Sequence, residues 1–244
     1  MSAKIMRPTW SNRADEIPLS TGGALALTAA VLPMDPLARI AVATSHPSDL
    51  LRRWAEAWSL EEATRLAIHN LCQPPVTLTT QYAKSPVGDE FKPHTIPGSS
   101  VWDGPRDSLM TILSERSDLW IQDAASSLAI TQFARAVVLK PGMVIVDLCA
   151  GQGTKTRQLV AAFPGVKIIA SDQDPNRARA LVETVNKIRT SECDVPHDIS
   201  ILSLRDTHIE LKGRAHVVLT DVPCSNSGVP VSYTHLTLPT NREV

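Results

Sequence analysis

A chain of 244 residues with 43% hydrophobic content reads as a soluble globular protein able to bury one full domain core and part of another. Lys plus Arg number 24 against 25 Asp plus Glu, and the resulting charge of -1 gives no general pull towards nucleic acid, so any such partner would have to be held by a local basic surface. Cys72, Cys149, Cys193 and Cys224 lack the paired short spacing of a zinc site or disulfide scaffold, which points to a reducing cytoplasm and no metal, and no 18-residue apolar run exists to span a membrane.

Residues 1–18 are polar and without period, and are expected to be loose. Short apolar helical patterns follow over 19–32 and 34–44, the run from Gly22 to Pro33 reading as a buried helix. From Ser45 to Trp58 the spacing predicts a helix with Ser48 as N-cap and Leu51, Trp54, Ala55 and Trp58 on one face, both tryptophans in the core. A second helix, Leu60 to Asn70, completes a hairpin. His46, before a proline in a helix-entry turn, reads as structural rather than as a catalytic base.

Val76 to Gln81 alternates and is β-prone, so an edge or half-exposed strand is expected. Proline and glycine accumulate from Pro86 through Pro105, a region of turns and short strands. A helix from Ser127 to Leu139 then leads through the turn Lys140-Pro141-Gly142 into the part of the chain that carries chemistry.

That part begins with Met143 to Asp147, too continuously apolar for a strand with one wet face and suited to the buried strand of a parallel sheet. Gly151 and Gly153 allow a tight turn and a close ligand approach, and helix-compatible residues run from Thr154 to Phe163. A second strand, Val166 to Ala170, leads to Asp172, 19 residues after Gly153, an offset at which an acid commonly accepts the hydroxyls of an adenosine ribose. Two cofactors compete for this pattern. A dinucleotide wants a third small residue where Thr156 stands, whereas S-adenosylmethionine has no pyrophosphate and needs only the close glycine approach and the ribose acid, which puts the methyl donor ahead. A plain strand-turn-helix crossover with no ligand is the bland alternative.

Asp174-Pro175 opens a helix with Ala178, Leu181, Val182 and Val185 as its apolar stripe, while Arg177, Arg179, Lys187 and Arg189 form a solvated face. Thr190 to Asp198 is expected as a loop and Ile199 to Leu204 as a third strand ending near Asp206. The run from His216 to Gly228 is again an apolar strand ending in an acid, Asp221, followed by Pro223 and Cys224. In a parallel sheet the ends at Asp147, Asp172 and Asp221 would face one crevice, with a thiol beside it.

DLCAGQGTKT, SDQD with its following helix, and TDVPCSNSG together resemble the RNA cytosine-5 methyltransferases of the Fmu/Sun type, the RsmB-like enzymes; the glycine region departs from the commoner alanine-proline-glycine-glycine-lysine. Ser45 to Pro47, Arg53-Trp54, Asn70 to Pro75 and the glutamine-aspartate-alanine run in Trp120 to Ser126 extend the resemblance upstream. It implies an α/β, Rossmann-like S-adenosylmethionine-dependent methyltransferase fold over 127–230, preceded by a helical region (1–75) and a small α+β, RNA-binding-like region (76–126). A sheet of this class needs strands beyond the Asp221 strand, so the chain is expected to be a fragment with an unrelated tail over 231–244.

The implied reaction adds a thiolate to carbon 6 of cytosine, making carbon 5 nucleophilic before methyl transfer and proton loss. The resembled enzymes use two cysteines: a later one attacks, and the proline-cysteine residue, here Cys224, assists release. No cysteine follows Cys224, so the chain is expected to lack the nucleophile and be inactive. Asp221 would polarise the base edge, and in methyltransferases an acid after the third strand often binds the adenine amino group, which makes Asp206 the candidate and Asp198 the runner-up. The expected cofactor contacts are Asp147, Cys149, Ala150, Gly151, Gly153, Lys155, Asp172, Asp206 and Asp221, with Cys149 and Cys72 also readable as packing residues and Lys155 as a plain surface lysine. The implied partner is ribosomal RNA of the small subunit, unstacked in a single-stranded or loop region, met by a monomer. The rival reading from another class is a non-catalytic RNA-binding or assembly module on the same fold.

Overall fold

The computed structural model describes residues 10–20, 22–72, 74–190 and 198–223. They fall into two compact units that divide between Pro74 and Pro75.

In the first unit, strands β1 (Glu16–Pro18) and β2 (Ala24–Ala26) pair antiparallel. This corrects two expectations. Glu16–Pro18 is ordered strand, and 24–26 is an exposed strand in place of a buried helix: Gly22 and Gly23, both at positive φ, end any helical run there and return the chain. Helix α1 (Pro36–Thr44) follows the expected pattern, its first turn capped by Asp35, which accepts from the Ala38 amide at 2.7 Å.

Helix α2 (Ser48–Ala57) begins one residue earlier than expected, since Pro47 takes the cap position and Ser48 is already helical. Leu51 and Trp54 are buried against Ile40, Ala63 and Ala67, but Trp58, at the helix end, is 62% exposed and is no core residue. Helix α3 (Leu60–His69) is capped by the Ser59 hydroxyl. His46 is held as a structural residue: its Nδ1 lies 2.8 Å from the Thr44 carbonyl, which requires N–H there and leaves Nε2 to accept from the Asn70 amide at 3.2 Å.

The second unit holds two sheets. Strands β3 (Thr77–Thr79), β4 (Phe91–Pro93), β5 (Ser99–Trp102) and β6 (Trp120–Ile121) form an antiparallel sheet in the order β4-β5-β3-β6, over a small core of Leu78, Phe91, Leu109 and Leu119. The expected edge strand is therefore an inner one. Its threonines look like surface residues in the sequence, yet Thr79 is fully buried, with its hydroxyl donating to Gln122 Oε1 at 2.8 Å, and Thr77 donates to the Gln122 carbonyl. Helix α4 (Arg106–Glu115), which sequence reading did not anticipate, starts directly after Pro105.

Helix α5 (Ala124–Ala136) starts three residues earlier than expected because Asp123 caps it, accepting from the Ser126 amide at 2.8 Å. Beyond it come β7 (Val144–Asp147), α6 (Thr154–Ala162), β8 (Lys167–Ala170), α7 (Pro175–Thr190), β9 (Ile199–Ile201), α8 (Leu204–Leu211) and β10 (Val217–Leu219). The four strands are parallel in the order β10-β7-β8-β9. Ile145, Ile168 and Ala170 on the strands meet Leu159, Leu181, Val185 and Ile188 on the helices in one core. Ile188 completes the α7 stripe in place of Val182, which is 45% exposed. The fold is Rossmann-like, with strand alternating with helix and all four carboxyl ends on one edge.

Candidate functional site

The carboxyl edge of the parallel sheet collects acidic groups because three adjacent strands release them there. β7, between β10 and β8, ends at Asp147; Asp172 lies two residues beyond β8, and Asp221 two residues beyond β10. The three carboxylates expected to meet are thus on neighbouring strand ends.

They are held differently. Asp147 is completely buried, with the Thr156 hydroxyl donating to its Oδ2 at 2.7 Å and no hydrogen-bond partner for Oδ1. Burial pushes its carboxyl up to about 6; Asp221 and Asp172 add to the rise, and the Thr156 hydroxyl and Lys155 ammonium offset part of it. Asp172 is half-buried: Oδ2 accepts from the Gly151 amide at 2.8 Å and Oδ1 from the Asp174 amide at 2.8 Å. Asp221, its side chain 54% exposed, accepts from Lys155 Nζ at 2.7 Å, and the same ammonium donates to Ser126 Oγ at 2.6 Å.

Between β7 and α6 the chain turns through Cys149, Ala150, Gly151 and Gly153. Gly151 is at φ +58, and a Cβ there would meet nothing within 4 Å, so its outer side is open. Gly153, at φ +88, is closed instead: a Cβ would come within 2.9 Å of Leu181 and 3.0 Å of Thr184 on α7. The second glycine therefore serves helix packing, and only the first offers the bare backbone that a ligand could approach. Ala150 is buried beside it, its amide donating to the Ser171 carbonyl at 2.9 Å.

The Cys149 thiol is pushed up by burial and by Asp172, Asp147 and Asp221, with Arg177 a small opposing influence, the opposite of the lowering that activates a thiol. Burial likewise raises the Cys72 thiol in the first unit. Cys224 lies outside the described residues. Asp206 does not stand at a strand end: β9 stops at Ile201, and Asp206 sits in the first turn of α8, where its amide donates to Ser203 Oγ and its carboxylate accepts from the same hydroxyl at 2.6 Å. Asp198 precedes β9, at the opposite end from the acidic edge. Neither is brought to the other three acids by its strand.

Sequence reading missed Thr156 as the partner of Asp147, Ser126 as a partner of Lys155, and Ser171, whose buried hydroxyl has no hydrogen-bond partner. Thr156 carried a usable signal: it is in the first turn of α6 and faces back to the strand it follows. Ser126 carried none, because it reaches the site from a helix that precedes the first parallel strand.

Residues 135–237 match the family model described as 16S rRNA methyltransferase RsmB/F. The "Probable ribosomal RNA small subunit methyltransferase B" of Bacillus subtilis is 24% identical over 206 residues, spanning 80% of this chain and 44% of that protein. The ribosomal RNA small subunit methyltransferase B of Thermus thermophilus is 27% identical over 145 residues, 57% of this chain and 30% of its own length. The 28S rRNA (cytosine-C(5))-methyltransferase of Mus musculus is 32% identical over 113 residues, 46% of this chain and 23% of that protein. Among solved structures, a methyltransferase homolog protein from Pyrococcus horikoshii superimposes with a TM-score of 0.56 at 22% identity, covering 76% of this chain and 62% of that one, which establishes the fold. The chain spans less than half the length of these curated relatives.

Proposed function

We propose, from the match of residues 135–237 to the RsmB/F methyltransferase model, that the acidic edge binds S-adenosylmethionine for methylation of carbon 5 of cytosine in RNA. The observation that carries this reading is the grouping of Asp147, Asp172 and Asp221 on adjacent strand ends beside the open backbone of Gly151. Three carboxyl groups, with the Lys155 ammonium held against Asp221 and Arg177 a weaker positive influence, make a pocket edge suited to a cationic ligand, and the orphaned Asp147 Oδ1 and Ser171 Oγ are polar atoms that such a ligand or an ordered water can satisfy. The bound cofactor would supply an electrophilic methyl group.

Each residue then has a task. Asp172, pinned through both oxygens by backbone amides, presents its remaining lone pairs to the ribose hydroxyls. Gly151, with Cys149 and Ala150, would form the surface against which the cofactor lies, and Asp147 is held behind the turn by the Thr156 hydroxyl. Gly153 fixes α6 against α7 so that the helix starts where Lys155 can reach Asp221. Asp221 is the most exposed of the three acids and is the one an unstacked base can reach, accepting from the cytosine amino group. Cys224 takes the release role; the chain holds no cysteine beyond it, so the attacking thiol of this reaction is not among these residues.

The relatives named for the small ribosomal subunit support ribosomal RNA of that subunit as the substrate, and the flipped-base chemistry favours a single-stranded or loop region. Calorimetry with S-adenosylmethionine tests the cofactor assignment. Asp172→Ala is expected to weaken binding at least tenfold, the cost of about one charge-assisted hydrogen bond. Equal affinity of variant and wild type removes Asp172 from the ribose role.

A further inference from the structure

Lys155 is the cation paired with the acidic edge through Asp221, and two side chains hold it. One, Asp221, belongs to the parallel sheet; the other, Ser126, stands in the first turn of α5. At 2.6 Å the Ser126 contact is a close charge-assisted hydrogen bond, and Lys155 is only 17% exposed, so the ammonium has little water to replace a lost acceptor.

The position of Ser126 is fixed from two sides. Asp123 caps α5 by accepting from the Ser126 amide itself, which sets the backbone of that turn. Beneath it, two buried glutamines join the neighbouring elements. Gln122 Oε1 accepts from Thr79 Oγ1 and Trp120 Nε1, both at 2.8 Å, and Gln122 Nε2 donates to Gln158 Oε1 at 2.7 Å. Gln158 Nε2 in turn donates to the Ser127 carbonyl at 2.8 Å. The antiparallel sheet, the start of α5 and helix α6 are thereby tied together within three residues of Lys155. A buried amide network of this kind keeps its geometry because each broken link leaves an unsatisfied polar atom.

We propose that Ser126 is a positioning residue of the site: its hydroxyl holds the Lys155 ammonium against Asp221, with the Gln122–Gln158 hydrogen bond and the Gln158–Ser127 link fixing α5 against α6. The inference rests on the reading of the acidic edge as the reaction site. When a base engages Asp221, Ser126 keeps Lys155 in place as the countercharge, and the small antiparallel sheet serves the site through this link.

The test is amine-directed labelling of the whole chain at fixed pH, read lysine by lysine by mass spectrometry. In Ser126→Ala, Lys155 is expected to label about three- to tenfold faster while Lys92 on β4 is unchanged; Ser126→Thr, which keeps the hydroxyl, is expected to label at the wild-type rate. Less than a threefold change in the alanine variant, or a threonine variant as fast as alanine, overturns the proposal. If circular dichroism shows that the alanine variant does not fold, Ser126→Val against its isostere Ser126→Thr decides by the same criterion. Calorimetry with S-adenosylmethionine on the wild type separates the two readings: absence of binding strikes the proposed function, whereas unchanged Lys155 labelling strikes the role of Ser126 alone.

Discussion

In the antiparallel half of the second unit, Asp118 lies against the guanidinium of Arg116, accepting from Nη2 at 2.7 Å and from Nε at 3.0 Å, and it takes the Lys84 amide at 2.6 Å as well. Arg116 is in turn spent on the carbonyls of Ser85 and Pro86, so the pair ties two loops together. At the acidic edge of the parallel sheet, Asp147 is more deeply buried and has a single hydroxyl for company. The Arg116 guanidinium holds the Asp118 carboxyl down at about 2, while burial sends Asp147 up to about 6. A carboxylate kept for structure is neutralised where it stands. One left under-satisfied in a core costs stability, and such a cost persists where a ligand site requires it.

The largest consequence of that contrast concerns Asp147. Its folded-state carboxyl is raised above the unfolded value of 3.8, so between about pH 4 and 6 the folded chain binds the extra proton and stability falls as pH rises, levelling off above 6. A shift from 3.8 to about 6 corresponds to roughly 3 kcal/mol. In Asp147→Asn this loss disappears, so urea unfolding across pH 4 to 7 is expected to show the variant gaining on wild type by about 3 kcal/mol. Parallel profiles for the two proteins would mean that Asp147 is as well paired as Asp118.

A smaller effect sharpens the same contrast at the glycine turn. Gly153 combines a left-handed backbone with a closed space against Leu181 and Thr184, whereas Gly151 combines a left-handed backbone with open space. Gly153→Ala is expected to cost about 2 kcal/mol, backbone strain plus displaced packing, and Gly151→Ala about 1 kcal/mol, strain alone. Thermal unfolding of the two variants measures the difference. Equal losses would show that α7 yields freely and that Gly153 is not a packing glycine.

How far the sequence carried these conclusions depends on how local the determinants are. The parallel sheet was readable because its strands are continuous apolar runs and their helices have regular stripes: Val144–Asp147, Lys167–Ala170 and Val217–Leu219 all fall inside the expected segments. The antiparallel sheet was less so. Thr77 and Thr79 satisfy their hydroxyls on Gln122, 43 residues or more away, and no local pattern distinguishes such a threonine from a wet one. Gly22 and Gly23 offered a turn signal that outweighed the apolar run around it. At the site, Asp147, Asp172 and Asp221 followed from strand ends alone. Ser126 did not, since its link to Lys155 exists only after α5 and α6 have packed.

The smallest effect belongs to Asp118. Its folded carboxyl is depressed, so its contribution is fully present above the unfolded value of 3.8 and is lost as pH falls towards about 2, the reverse of the Asp147 profile. The pair is not deep enough for the whole shift to count: Arg116 keeps 21% of its side-chain surface and Asp118 12%, and water and salt screen what remains. We therefore expect Asp118→Asn to destabilise by about 1 kcal/mol at pH 7, with the difference from wild type closing between pH 4 and 2 and shrinking in high salt. Urea unfolding at two salt concentrations tests this. A salt-independent loss would mean that the Lys84 amide and the loop carbonyls, and not the charge pair, hold the two loops together, and the carboxylate would then be a hydrogen-bond acceptor like the Gln122 amide beneath the site.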